Sequence, residues 1–216
     1  MYCLHRFIDY HREGLFPSWH IKYLFIGTFN PSWNKPGNNA DYFYGRSNYM
    51  WLLLPRFVFE NSLQESSIDQ KVSFCRRNFI GFTDLIKNIN NVDYYNPTHK
   101  ERILSFKDTD LLEFGADLVF NTNDILSYID NTPSLERIYF SLLGKNVGTI
   151  SDAMTQIEQH CLQKNPSIPT YRLHTHTGQG LGKGSPRENV LTNRWHGQGL
   201  NFINNLFNPN DFPFQI

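Results

Sequence analysis

The stretch "YLFIGTFNPSW", Tyr23 to Trp33, sets a strand-forming run directly against a polar turn. With Ile21 and Lys22 before it, "IKYLFIGTF" is an apolar run bounded by turn residues, the pattern of a strand covered on both faces. Such a strand belongs to an α/β fold. In open α/β sheets, ligand sites form just beyond the carboxyl ends of the strands. Gly27, Thr28, Phe29 and Asn30 stand at that point, and Pro31 stops the backbone from continuing as strand. Asn-Pro is also a common turn pair, so the residues alone leave Asn30 open between turn and chemistry.

Working outward, "NKPGNNADYFYGRS" reads as a loop of the length that usually carries function. Ser47 can cap a short helix, "NYMWLLL", which Pro55 kinks or ends. A second helix, from about Ser67 to Arg77, leads to "NFIGFTDLI". Ala116–Phe120 and Arg137–Leu143 read as further strands, and "TYRLHTH" as the last core strand. "SDAMTQIEQHCLQ" has helical spacing at Met154, Ile157 and Cys161, with Ser151 as its N-cap. A glycine-rich basic loop, "TGQGLGKGSPREN", follows the last strand, and "RWHGQGLNFINNLF" closes with a helix. Strands alternating with helices predict a layered α/β fold with a mainly parallel sheet. Length favours one domain, residues 1–216.

Composition bounds the function. The 216 residues are 40% hydrophobic and 15% aromatic, enough for one substantial core. Twenty basic and twenty acidic residues cancel, so overall charge advertises no nucleic acid. Locally the chain is asymmetric. Asp108 to Glu136 holds seven acids and no Lys or Arg, whereas Arg172 to His196 holds four Lys/Arg and three His against Glu188. Cys3, Cys75 and Cys161 are odd in number and form no CxxC, which suggests neither disulfides nor a thiolate metal site. No apolar run approaches the roughly 20 residues of a membrane helix, and the first residues lack the apolar core of a signal peptide. The expectation is a soluble, cytoplasmic protein, monomeric and without contact to a membrane.

Four polar clusters sit at or after strand ends: "GTFNP", "DYFYGRSN", "GFTDL" and "HTHTGQGLGKGSPRE". In a parallel sheet they can converge on one edge. The last is no phosphate-binding P-loop. Gly178 to Gly182 is one residue short of G-x-x-x-x-G-K-[ST], and Gly184 replaces the hydroxyl. Its glycines let backbone approach another surface, and Lys183, Arg187 and Arg194 suit a phosphate backbone. A loop with no partner is the plainer alternative. His174 and His176 alternate, so on a strand they share a face. With no clear third ligand, a histidine donating to a developing anion fits better than a metal site.

"LFIGTFNP", then "YFYGRSNYMW", then "GFTDLI", resembles the uracil-DNA glycosylase superfamily, most closely its mismatch-specific uracil/thymine branch. That branch has a strand ending in Gly-x-Asn-Pro, an aromatic loop ending in Asn-x-Phe-Trp, and a Gly-x-Thr-Asp/Asn-like segment. The resemblance covers roughly Ile21 to Asn90. "IYFSLLGKN" is similar to a later strand of the family, and "HTHTGQGL" stands where it has a His/Asn-Pro-Ser-Gly/Pro-Leu loop. The resemblance implies a three-layer α/β/α sandwich, DNA as partner, no metal or other cofactor, and hydrolysis of the bond between base and sugar.

It also implies roles. Asn30 would orient the attacking water, and Phe43 or Tyr44 would stack on the flipped base. Gly27, Thr28 and Phe29 would line the base pocket, and Thr83 or Asp84 would contact the base edge. His176, or else His174, would donate toward the base anion. Gln179, Gly180 and Leu181 would approach the gap in the DNA, with Lys183, Ser185 and Arg187 on its backbone. Two departures bear on base specificity. Thr28 and Phe29 both intervene between Gly27 and Asn30, where the family usually has one residue, and the Pro-Ser pair is replaced by Thr177 and Gly178. Hypoxanthine or a bulky modified phage-type cytosine is an alternative substrate, and a catalytically inactive DNA-binding module an alternative function.

Overall fold

The computed structural model describes residues 1–8, 15–35, 40–45, 48–58, 60–144, 147–164, 166–177 and 186–195. Its elements run β1 (Tyr2–Leu4), β2 (Tyr23–Gly27), α1 (Met50–Phe57), α2 (Ile68–Arg77), β3 (Ile80–Asp84) and β4 (Ile86–Asn90). They continue with α3 (Pro97–Leu104), α4 (Asp108–Leu112), β5 (Leu118–Phe120) and α5 (Thr122–Asp130). The remainder are β6 (Arg137–Phe140), α6 (Gly148–Gln163), β7 (Thr170–Arg172) and α7 (Arg187–Trp195).

The opening stretch builds the centre of the molecule. Every residue of β2 after Tyr23 is buried. β2 pairs in parallel with β3 on one side and β6 on the other, and β7 extends the sheet beyond β6, giving the order β3-β2-β6-β7. Alternation along β2 splits its side chains between two cores. Leu24 and Ile26 pack with Ile138, Phe140 and the apolar faces of α5 and α6. Phe25 packs with Tyr139, Phe82 and the apolar faces of α1, α2 and α7. Helices therefore cover both faces of a parallel sheet, which is the three-layer α/β/α arrangement.

A second, antiparallel sheet of order β1-β4-β5 was not expected from the sequence. Leu85 alone separates the end of β3 from the start of β4. The edge strand of the parallel sheet therefore runs straight into the middle strand of the small one. Across it, Cys3 of β1 pairs with Ile89.

Local chemistry explains the element ends. The helix expected from about Ser67 to Arg77 is α2, and Ser67 caps it: its hydroxyl accepts from Gln70 N, and Gln70 Oε1 accepts from Ser67 N. Lys71, Phe74 and Cys75 are the buried residues of that helix, at helical spacing. Other boundaries differ from the sequence reading. Pro55 lies inside α1, which continues to Phe57, and Ser47 lies outside the described residues. α6 begins at Gly148, so Ser151 is within the helix rather than its cap. β5 starts only at Leu118, because Gly115–Asp117 form a short 3-10 turn, and β6 stops at Phe140. β7 ends at Arg172, so His174 and His176 follow the last strand instead of riding on it. The three cysteines are buried and unpaired, and burial pushes the Cys3 and Cys161 thiols up to about 11.

Candidate active site

The four parallel strands end on one edge, at Gly27, Asp84, Phe140 and Arg172. A cavity of about 580 Å³ opens there, within the range of small-molecule sites. All four strand-end clusters reach it, through Asn30, Tyr44, Asp84 and His176 among others.

Asp84 organises the polar side. It is essentially fully buried, and its Oδ2 accepts two hydrogen bonds, from Asn30 Nδ2 at 2.6 Å and His5 Nε2 at 2.7 Å. The His5 tautomer follows from its second nitrogen. Nδ1 accepts from Phe7 N at 3.1 Å, so the ring proton sits on Nε2 and points at the carboxylate. Asn30 is fixed in the same way. An amide that gives its NH₂ to a carboxylate must turn its carbonyl away, and Asn30 Oδ1 is left as an acceptor at a residue lining the cavity.

The backbone of the Asn30 turn is also held. Arg6 N donates to Asn30 O at 2.7 Å, Ser32 N donates to Leu4 O at 2.9 Å, and His5 bridges to Pro31. The first six residues thus run alongside the turn and lock both its main chain and, through Asp84, its key side chain.

Gly27 is required by close approach. A Cβ there would overlap Asp84 Oδ1 and lie 3.4 Å from Tyr44 Oη. Gly27→Ala is expected to cost about 1–3 kcal/mol in urea unfolding, through displacement of the Asp84 carboxylate. Wild-type stability in that variant would show that the carboxylate has room to move.

Facing this network is an aromatic wall. Phe43 is buried against Phe7, with ring centroids 4.8 Å apart, and also against Phe82 at 5.8 Å. Its backbone sits at φ +51°, and Tyr44 N donates to Tyr42 O at 2.6 Å, a γ-turn that a bulky residue adopts only under strain. Tyr44 packs its ring edge-on to His176, centroids 4.2 Å apart. Burial first, and the Asp84 charge second, push the Tyr44 phenol far above its ordinary range, so it stays neutral.

His176 is neutral as well. Burial lowers its pKa to about 3. Its Nδ1 is sealed from solvent without a hydrogen bond among the described residues, which leaves Nε2 as the ring nitrogen available to the cavity. The pH consequence has a definite sign. Below about pH 6.5 the unfolded chain protonates this histidine, while the native one resists until about pH 3. Stability from this site is full above about 6.5 and is lost as pH falls through that window. His176→Asn is therefore expected to flatten the decline of the urea midpoint with acidification. An unchanged slope would contradict the burial of a neutral imidazole.

Among the other expected residues, Gly27, Thr28, Phe29 and His174 line the cavity, with His174 Nδ1 within 3.3 Å of Arg194 Nη1. Thr83 does not line it: this residue is fully buried, and its hydroxyl accepts from Asn121 Nδ2. Arg187 opens α7, away from the cavity lining. Gln179, Gly180, Leu181, Lys183 and Ser185 lie outside the described residues.

Two participants were missed by the sequence reading. His5 gave a faint sign, since it follows buried Cys3 by two residues on one strand face. Asp108, the first residue of α4, lines the cavity with its carboxyl against the Thr28 hydroxyl. Burial raises its pKa, the Asp84 charge raises it further, and the Thr28 hydroxyl opposes both. In sequence it was one acid among seven.

No protein-family model and no curated protein matches this chain. Among solved structures, the chain is similar to an NMR structure from Methanosarcina acetivorans described as a "putative Uracil DNA glycosylase". Identity is 15%, the match covers 80% of this chain and 88% of that one, and the TM-score is 0.46. Among the described residues, no helix is long and apolar enough to cross a membrane.

Proposed function

We propose that the protein is a monofunctional DNA glycosylase. It takes an altered base out of the DNA stack into the cavity and hydrolyses its N-glycosidic bond, leaving an abasic site. The observation that carries this reading is the Asn30 amide, held by a buried carboxylate so that its carbonyl is free to orient a water. An amide is a poor general base, so Asn30 positions the water rather than deprotonating it.

The remaining groups suit the other half of the reaction. Breaking the bond puts positive charge on the sugar and negative charge on the departing base. A neutral imidazole can donate a hydrogen bond to that anion from a fixed position, without a protonation step beforehand. Phe43 and Tyr44 supply an apolar wall for the base, offsetting the few kcal/mol, roughly, that unstacking costs. The order of motifs along the chain, which resembles the mismatch-specific branch, supports the same reading. So do Lys183, Arg187 and Arg194, which follow β7 in the chain and suit a phosphate backbone.

Oligonucleotides carrying uracil, thymine mismatches, hypoxanthine and modified cytosines, read out by alkaline cleavage, test this directly. Abasic sites are expected on at least one. If none forms on any substrate, the enzymatic reading is wrong, and salt-dependent DNA binding without cleavage would instead identify an inactive binding module.

A further inference from the structure

Two carboxylates belong to this site, and the structure distinguishes what each can do. Asp84 is closed. Its Oδ2 is committed to Asn30 and His5, and its Oδ1 is sealed from solvent. It can orient Asn30, but it has no oxygen to offer a substrate. Asp108 is open. It is only partly buried, it lines the same cavity as Asn30, and its carboxyl lies by the hydroxyl of Thr28, two residues before Asn30.

We infer that Asp108 is the general base of the glycosylase reaction, accepting the proton of the water that Asn30 orients; this rests on the reading given above. The water oxygen forms a bond to C1′ of the sugar while the C1′–N bond breaks. The bonding pair leaves with the base, which takes a hydrogen bond from His176 Nε2. One water proton passes to the Asp108 carboxylate, and from there it returns to solvent or to the departed base. Atoms and charge balance with water as the only co-reactant.

The assignment follows from a division of labour. A residue that orients by its amide cannot also take a proton at neutral pH, so the site needs a second group, and Asp108 is a carboxylate on the cavity wall with an accessible position. Its environment also favours a basic carboxylate. Burial, and after it the Asp84 charge, raise its pKa, with the nearby Thr28 hydroxyl opposing them. The other charged or titratable groups lining the cavity are Tyr44, Lys107, Arg194, His174 and His176.

The test uses Asp108→Asn, Asp108→Glu and the intact protein, on the best substrate of the panel and under single-turnover conditions. Asp108→Asn is expected to lose about 10²–10⁴-fold in excision rate, with oligonucleotide affinity retained. It is also expected to lose the acidic limb of the wild-type pH–rate profile, where activity falls as pH drops through the Asp108 pKa. Asp108→Glu should restore part of the rate and the limb. Wild-type rate and profile in Asp108→Asn would overturn this assignment while leaving the glycosylase intact. An intact protein that excises nothing from the panel would overturn the glycosylase reading, and the role of Asp108 with it.

Discussion

Asn30→Ala is expected to slow base excision by about 10²–10³-fold while the fold survives. The native amide is held in direction by Asp84. Its Nδ2 donates across 2.6 Å to a carboxylate oxygen with almost no exposure to water. Removing the amide takes away the oriented carbonyl but leaves Asp84 the His5 donor, so the buried charge keeps a partner. Asn30→Asp should behave differently. It places a second carboxylate where the amide N–H pointed at Asp84, and two such groups at that separation cannot both ionise. Its melting temperature should therefore fall below that of Asn30→Ala. Single-turnover rates and thermal melts of both variants read the two effects separately. An alanine variant excising at the wild-type rate would remove Asn30 from the chemistry.

His5→Ala is expected to carry the largest stability loss of the residues around the cavity, about 3 kcal/mol or more in urea unfolding. The histidine donates to Asp84 from inside the protein, where no water replaces it. Its loss leaves the carboxylate with the Asn30 donor, and the ring also packs edge-on to Phe29 and at a tilt against Phe7 and Phe43. Excision should fall as well, since the carboxylate that aims the Asn30 amide is no longer held on its far side. His5→Gln, which can present an N–H in roughly the same direction, should recover part of both. A His5→Ala variant within 1 kcal/mol of wild type, roughly, would mean that Asp84 is satisfied in some other way.

The central strand and the position of Asn30 were legible in the sequence because they are local signals. An apolar run closed by Gly and Pro states both the strand and its end, and a parallel sheet collects such ends at one edge. The helix from about Ser67 to Arg77 was legible for the same reason, since the residues that make it interact within single turns. His5 and Asp108 were not legible, because their meaning lies in partners far along the chain. His5 meets Asp84, 79 residues away, by way of a strand of three residues that carries no periodicity of its own. Asp108 looks like any helix-starting acid until α4 is set against the Thr28 turn. Placing His174 and His176 on a strand failed for a subtler reason. The alternation in "TYRLHTH" is real, but β7 pairs only with β6, whose own strand stops at Phe140. Beyond that point the two histidines bond outside the sheet, His174 O accepting from Trp195 Nε1 and His176 O from Tyr49 N, and both line the cavity.

The direct passage from β3 to β4 has a mechanical consequence. Asp84 is the last residue of one sheet and Ile86 the first of the other, so no slack separates them. The small sheet also includes the N-terminal strand that leads into His5. A displacement of that sheet would therefore pull on the carboxylate from two directions, along the backbone through Leu85 and through the imidazole. The Asn30 amide is geared to a surface that lies outside the cavity lining. Substitutions at Cys3 or Ile89, neither of which lines the cavity, belong among the changes that would detune it.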